Sequence, residues 1–349
     1  MGLYDRVADL SLVVEGHERT VSERATSSGF DRATTTFHLH GEGETGLGED
    51  VTYDTEEHER LRDHELSLAG EYTLAEFSEA VGEMALFPEP PDREAFEHYR
   101  RWGIESAALD LALRQADTDL ASALDRTYDP VRFVVSSRLS GGEEPPTTDR
   151  IHAILERYPD SEFKLDPTVD WTPAVVADLV EVGRVRVLDM KGQYHGTEVD
   201  TPPNPHLYRL VVEGFPEAIV EDPAITDETE DSVMWASGRV SWDVPITGVD
   251  SIRELPFRPT WLNIKPSRFG SVASLLDTVE HCLDAGIRMY GGGQFELGVG
   301  RGQIQAIASL FYPDAPNDVA PGGYNDPEVP EELPTSPLAV PEAPAGFRF

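Results

Sequence analysis

The 349-residue chain has little cysteine, little positive charge and no long apolar run. Its single cysteine, Cys282, excludes an internal disulfide framework and a cysteine-rich metal site. The 65 acidic residues outnumber the 28 lysines and arginines, and the formal net charge of −37 disfavours nucleic acids and anionic membranes as partners, because both are negatively charged. No stretch approaches the roughly 18 consecutive apolar residues of a membrane span.

The start of the chain, MGLYDRVADL, lacks the basic residues and the long apolar run of a secretory signal, so we expect a soluble protein of the cytoplasm. The acidic residues are spread along the whole chain. Such a surface suits high salt, where repulsion between like charges is screened. We therefore interpret the chain as the protein of a halophile, and an acidic binding surface is the alternative.

The composition and the pattern of apolar residues divide the chain into three parts. Residues 1–92 alternate short strand-like runs with glycine-rich joints and contain one helical stretch, TLAEFSEAVGEM, which predicts an α+β domain. Residues 93–325 alternate short apolar runs with helical segments, which predicts a parallel sheet. Residues 326–349 are proline-rich, and we expect them to pack on the surface in extended form.

The spacing of the apolar runs favours a closed barrel over an open sheet. Successive runs end at near-regular intervals, at Lys164, Asp189, Glu221, Asp243, Lys265 and Tyr290. Seven or eight such units predict an α/β fold, a (β/α)8-type (TIM-like) barrel with an α+β N-terminal domain. In barrels of this kind the carboxyl ends of the strands carry the active site.

Three carboxylates, Asp189, Glu221 and Asp243, end three successive predicted strands. Adjacent parallel strands lie about 4.8 Å apart, so these side chains converge and would repel one another without a cation. Carboxylate oxygens are ligands that Mg²⁺ prefers. We predict a Mg²⁺ site here; the alternative is that an acidic protein carries carboxylates almost anywhere.

Lysines accompany the carboxylates. Lys265 ends the next strand, and a lysine beside a bound cation has a lowered pKa, which suits a general base. Lys164 and Asp166 lie two residues apart and therefore face the same side of their strand. Lys191, two residues after Asp189, is expected to face inward by the same reasoning.

These motifs resemble the enolase superfamily over almost the full length of the chain, in particular its mandelate-racemase-like and muconate-lactonizing-enzyme-like members. The resemblance is carried by FHLHGEGETGLGEDV, RWGIESAALDLAL, VLDMKG, IVEDP, VSWD, NIKPSRFGS and GIRMYGGGQFELGVGRGQ. It implies that residues 1–92 form a capping domain, that residues 93–325 form the catalytic barrel, and that a homo-oligomer is possible. It also implies metal-ligand roles for Asp189, Glu221 and Asp243.

The chain departs from the superfamily pattern at two positions. Many members carry Lys-x-Lys on the second strand, with the second lysine as base, whereas this chain has Lys164-Leu165-Asp166. Lys191 stands where many members have asparagine.

The long loop that follows could bring Tyr194 or His195 over the site, and a solvated loop is the alternative. In the closing motif we predict substrate contacts from Gln294 and Glu296.

The predicted reaction is Mg²⁺-dependent removal of the proton next to the carboxylate of a small substrate, with an enediolate intermediate. Lys265 is the predicted base; Lys164 would stabilise the oxyanion, and Lys191 would do the same or protonate a leaving group. A single base favours β-elimination by a dehydratase-, ammonia-lyase- or o-succinylbenzoate-synthase-like lyase. A racemase or epimerase, with Asp166 or Lys164 as second base, is one alternative, and a non-catalytic metal-binding scaffold is another.

Overall fold

The computed structural model describes residues 2–26, 31–139, 145–197 and 200–349. The N-terminal part, within residues 2–124, contains α1 (Asp5–Ala8), β1 (Ser11–Val14), β2 (Gly16–Ala25), β3 (Asp31–Gly41), β4 (Glu44–Asp50), α2 (Thr55–Leu61), β5 (Gly70–Thr73), α3 (Leu74–Gly82), α4 (Ala95–Gln115) and α5 (Leu120–Leu124).

The barrel part follows and alternates strands with helices. Its strands are β6 (Val135–Ser137), β7 (Phe163–Leu165), β8 (Val185–Asp189), β9 (Ile219–Glu221), β10 (Val240–Trp242), β11 (Trp261–Ile264) and β12 (Arg288–Gly291). Its α-helices are α6 (Asp149–Arg157), α7 (Pro173–Val182), α8 (Pro205–Gly214), α9 (Glu230–Trp235), α10 (Val249–Arg253), α11 (Pro266–Phe269), α12 (Val272–Ala285) and α13 (Val299–Phe311).

In the N-terminal part, β2, β3 and β4 form an antiparallel sheet, and β1 pairs with β5. Helix α4 lies so close to β4 that side chains are excluded at the contact. A Cβ at Gly48 would stand 2.1 Å from the carbonyl oxygen of Gly103. Glycine at this crossing therefore lets the helix and the strand approach backbone to backbone.

The seven barrel strands form one parallel sheet in the order β6 to β12, and a short later segment joins its two outer edges. Asn317 bridges to Phe133 just before β6, and Asp318 bridges to Gly292 just after β12. The N–H of Asp318 donates to Gly291 at 2.8 Å. The prediction of a TIM-like barrel with an α+β N-terminal domain is confirmed, and the boundaries at residues 92 and 325 stay a prediction.

Local sequence signals explain where several helices begin and end. Thr73 and Glu76 form a capping box at the start of α3. Helix α12 begins after Ser271, whose side chain accepts from the N–H of Ser274, and ends at Gly286 in the left-handed conformation. In the described part of the chain, no helix combines the length and the apolarity needed to cross a membrane.

Candidate active site

The three predicted metal-ligand carboxylates lie together at the carboxyl end of the barrel sheet. Asp189 ends β8 and is paired in register with Glu221 at the end of β9, and Asp243 directly follows β10. All three are fully buried. Burial, together with the charges of Asp189 and Asp243, raises the pKa of Glu221 to about 7.

Lys164, at the centre of β7, links this cluster to the segment that closes the barrel. Its Nζ lies 2.7 Å from Glu221 Oε1, 3.4 Å from Asp189 Oδ2 and 3.4 Å from Asp318 Oδ2. Burial by itself would lower the pKa of Lys164, but the surrounding carboxylates raise it well above its usual range. Lys164 is therefore held as a buried cation.

On the other side of the cluster, Asp243 is held by two cations. Lys265 Nζ lies 2.7 Å from Asp243 Oδ2, and Arg268 Nε donates to Asp243 Oδ1 at 2.9 Å. Burial alone would raise the pKa of Asp243, but Arg268 and Lys265 hold it far below its usual range. Lys265 is buried, although its ammonium lies at the end of a strand.

Lys191 and Asp166 also belong to this cluster of charged side chains. Lys191 donates to Asp189 Oδ2, and its Nζ lies 3.7 Å from Asp166 Oδ2. The backbone of Lys191 has a φ of 55°, so the chain turns sharply just beyond β8. That turn brings the Lys191 ammonium onto the carboxylates of Asp189 and Asp166, which lie at the ends of neighbouring strands.

The two residues of the loop after β8 that were predicted to contact the substrate, Tyr194 and His195, lie in different surroundings. The Tyr194 hydroxyl donates to Asp243 Oδ2 at 2.9 Å, and the Tyr194 ring lies 4.8 Å from Lys191 Nζ. Burial and the charge of Asp243 raise the pKa of Tyr194 well above its usual range, so the hydroxyl stays a donor. His195 is exposed and makes no polar contact with the cluster among the described residues.

Gln294 and Glu296 lie at the seam between the two parts of the molecule. Gln294 Nε2 donates to the hydroxyl of Tyr99 at 3.2 Å, and Gln294 Oε1 accepts from the hydroxyl of Tyr53 at 2.9 Å. Glu296 pairs with Arg301 at 3.3 Å. Tyr53 is 40% exposed, and its hydroxyl is held by the Gln294 side chain.

Several buried residues of the cluster were not assigned a role in the site from the sequence. Asn263 Nδ2 donates to Glu221 Oε1 at 3.1 Å, and the Tyr290 hydroxyl donates to Glu221 Oε2. Asp222 accepts from the N–H of Asp243 at 2.8 Å. Asn263 lies two residues before Lys265 and could have been found by strand alternation. Asp318 lies in a segment without a strand pattern, so nothing in the sequence pointed to it.

The donor chemistry of the cluster fits Mg²⁺, although its oxygens are now held by cations. In the ranges that the structure describes, no three Asp, Glu, His or Cys side chains surround one point closely enough to hold a metal ion. The cluster has a formal charge of −2, which one divalent cation would neutralise. Its six carboxylates and four cations are Asp166, Asp189, Glu221, Asp222, Asp243 and Asp318, and Lys164, Lys191, Lys265 and Arg268. Binding would require Lys164 and Lys191 to move off Glu221 and Asp189.

The chain matches both profiles of one protein family along most of its length. The matches are to the N-terminal domain (residues 5–123) and the C-terminal domain (residues 127–326) of a domain of unknown function, DUF8230. A curated relative is o-succinylbenzoate synthase of Bacillus subtilis (strain 168), 26% identical over 233 residues. That similarity covers 62% of this chain and 58% of the relative, so the chain spans less than two thirds of that relative's length.

Solved structures share the fold over nearly the whole chain. Muconate cycloisomerase from Pseudomonas fluorescens is 14% identical with a TM-score of 0.67, over 97% of this chain and 95% of that one. Dipeptide epimerase from Methylococcus capsulatus, complexed with Mg ion, is 17% identical with a TM-score of 0.65, over 90% of this chain and 91% of that one. Proteins described as members of the enolase superfamily also share this fold.

Proposed function

We propose that this chain, which belongs to the DUF8230 family, is an enolase-superfamily enzyme that removes the proton next to a substrate carboxylate. The observation that carries the proposal is one buried cluster at the barrel mouth. There, three carboxylates from successive strands, Asp189, Glu221 and Asp243, lie with Lys164 on one side and Lys265 on the other. Barrel enzymes hold their active sites at this face.

Asp189, Glu221 and Asp243 are the residues that would hold Mg²⁺. When bound there, Mg²⁺ would stabilise negative charge on the substrate carboxylate. The relatives support this assignment, because one structural neighbour is a dipeptide epimerase complexed with Mg ion.

Lys265 is the proposed base. It directly follows β11, which lies four strands from β7, the strand that carries Lys164. The two ammonium groups therefore stand on opposite sides of the barrel mouth. A substrate between them would lose its α-proton to Lys265 after Lys265 has given up its own proton. Lys164 would donate a hydrogen bond to the enediolate oxygen that develops. Both side chains are buried.

The reaction we favour is β-elimination. Lys191 lies between Asp166 and Asp189 at the end of β8 and is a charged donor. After Lys265 has taken the α-proton, the electron pair forms the new double bond, and the leaving group departs with a proton from Lys191. The similarity to o-succinylbenzoate synthase of Bacillus subtilis supports a lyase.

Epimerisation is the second candidate, and the opposed positions of Lys164 and Lys265 favour it. Two proton-transfer groups on opposite faces of a substrate carbon can remove a proton from one side and return it on the other. The similarity in fold to a dipeptide epimerase fits this alternative.

We further propose that the enzyme works in a cytoplasm of high salt, because its net charge is −37.

The test is exchange of the α-proton in D₂O, followed by proton NMR. The protein is incubated with 2-hydroxy, N-acylamino and dipeptide carboxylates, once with Mg²⁺ and once with EDTA. Exchange that requires Mg²⁺ supports the proposal; loss of water or of an amine identifies elimination, and inversion without loss identifies epimerisation. If Mg²⁺ binds but none of the substrates exchanges its α-proton, the non-catalytic scaffold is favoured.

A further inference from the structure

Strand β2 is a long, unprotected edge of the N-terminal sheet. Its ten residues pair with β3 along their whole length, and its other side pairs with no strand in the described parts of the chain. Natural proteins usually shorten, cover or interrupt such an edge, because its free N–H and C=O groups can bind another strand. β2 contains no proline.

The charges along β2 are symmetric about Val21. Two copies of β2 placed antiparallel around this residue would bring complementary side chains together on both sides of it: Glu18 opposite Arg24, Arg19 opposite Glu23, and Thr20 opposite Ser22. A shift of the register by one residue would set Glu18 against Glu23, or Arg19 against Arg24. The pattern therefore selects one register.

The same side chains are available for pairing. Glu18 and Glu23 are exposed and have no ion-pair partner within the residues that the structure describes. Arg24 contacts Asp326 through Nε at 3.0 Å and Nη2 at 3.3 Å, and it keeps 46% of its side chain exposed. Arg19 Nη1 donates to the carbonyls of Leu61 at 2.5 Å and His64 at 3.0 Å, and the Nε and Nη2 atoms of Arg19 carry further N–H groups that can donate to a carboxylate.

The two faces of the sheet also agree with this register. Arg19 lies opposite Phe37, which is opposite Gly48, so Arg19 is on the face that packs against α4. Alternation puts Glu23 on that face as well, and Glu18 with Arg24 on the other. Each proposed pair thus joins side chains of the same face, as antiparallel pairing requires.

The local charge balance also favours association at this edge. The whole chain has a net charge of −37, so two copies repel each other almost everywhere. Between residues 16 and 25, two glutamates and two arginines cancel. An association between copies costs the least electrostatic repulsion at such a neutral segment.

We propose that two copies of this chain associate through β2. The two strands pair antiparallel around Val21, and the two three-stranded sheets become one six-stranded sheet with a two-fold axis at this residue. Main-chain hydrogen bonds supply the attraction, and four cross-strand ion pairs set the register.

The two-fold axis gives a direct cross-linking test. In a Val21→Cys variant the two thiols would face each other, with Cα atoms about 4.5 to 5.5 Å apart, which suits a disulfide. The native thiol does not interfere, because Cys282 is buried. Mild oxidation should produce a covalent dimer on a non-reducing gel.

Ala25→Cys is the matched control, because Ala25 lies on the same strand and is exposed. Its two copies would be eight residues apart along the paired strands, or roughly 27 Å, and should not cross-link. Absence of a Val21→Cys dimer, or equal cross-linking of both variants, would overturn the proposed pairing.

Charge reversal tests the register. Glu23→Arg would set arginine against Arg19 in both symmetric pairs, and sedimentation should show a dimer dissociation constant raised about tenfold. Glu18→Arg, which would face Arg24, should act alike, and Arg19→Glu combined with Glu23→Arg should restore the dimer. The control is Glu89→Arg, which makes the same charge change at another exposed position.

Two results would contradict the proposal at this step. If the wild-type chain stays monomeric up to about 100 µM, β2 does not pair with a second copy, and only some other extended segment could bind this edge. A dimer weakened equally by Glu89→Arg and Glu23→Arg would show that only net charge matters.

Discussion

Buried carboxylates occur in both parts of the molecule, but they are held in different ways. In the N-terminal part, Asp50 accepts from Arg100 Nε at 2.9 Å, from the N–H of Thr52 at 2.9 Å and from its hydroxyl at 2.7 Å. Asp110 accepts from the N–H groups of Leu47 and Phe347. Donors from the surrounding backbone and from arginine saturate these oxygens, so these acids fasten segments together.

At the barrel mouth, the acids share cations instead. One ammonium, Lys164, serves Glu221, Asp189 and Asp318 together. The carboxylates are near enough to raise one another's pKa. At Asp50, by contrast, burial would raise the pKa, but Arg100, His58 and the hydrogen bond from Thr52 together lower it. The contrast indicates that the first kind of site contributes stability, while the second kind keeps charge that a ligand can rearrange.

The largest expected contrast concerns metal binding. Asp189→Ala should abolish Mg²⁺ binding, because the ion would lose one of its carboxylate ligands. Glu221→Ala and Asp243→Ala should behave alike. Asp50→Asn should bind Mg²⁺ as the wild type does. Titration calorimetry checks both, and unchanged affinity in any of the three barrel variants would remove that residue from the ligand set.

The next contrast separates the two lysines across the barrel mouth. Lys265→Ala should lower the rate of α-proton exchange by about 10² to 10⁴, the usual contribution of a general base, while Mg²⁺ binding survives. In Lys164→Ala, exchange and turnover should fall together, because the oxyanion loses its donor. Proton NMR in D₂O measures both. Near-normal exchange in Lys265→Ala, with loss in Lys164→Ala, would reverse the roles.

Asp50, the buried acid of the N-terminal part, should affect the stability of the fold and not metal binding. Asp50 and Arg100 are both fully buried, so Asp50→Asn should lower the free energy of unfolding by about 3 kcal/mol. The control is Asp63→Asn, at an exposed position, which should change it little. Urea unfolding of the three proteins measures the difference.

The same pair has a pH dependence of known sign. The folded pKa of Asp50 lies below its ordinary value of 3.8, so its contribution is complete above that value and is lost as the pH falls through the lowered pKa. The gap in stability between the wild type and Asp50→Asn should therefore be constant at neutral pH and shrink as the pH falls below 3.8. A gap that widens in acid would contradict the sign.

The smallest expected effect concerns the surface charge. Diluting salt from about 1 M to 0.01 M lengthens the Debye screening distance from roughly 3 to 30 Å, so repulsion within a chain of charge −37 should grow. We expect the melting temperature to fall by a few degrees, about 2–4 °C for each kcal/mol lost. A melting temperature that is flat over this range would contradict the high-salt interpretation.

Residues at strand ends could be predicted because the barrel repeats one pattern. Asp189, Glu221 and Lys265 each follow an apolar run, and strand alternation with the parallel arrangement sends such residues to one face. The positions of the exposed His195 and of Glu296, which pairs with Arg301, could not be predicted in the same way. A loop has no period from which the direction of its side chains follows.

The sequence by itself determined which side chains reach the barrel mouth, through the order and spacing of its strands. Only the tertiary structure decided which charges pair there. Lys164 meets Asp318, 154 positions later, because residues 317–318 join the two outer edges of the sheet. Lys191 meets Asp189 because its backbone turns at positive φ. Ion pairs depend on distances of a few ångströms between residues far apart in the chain, and those distances exist only once the barrel has closed.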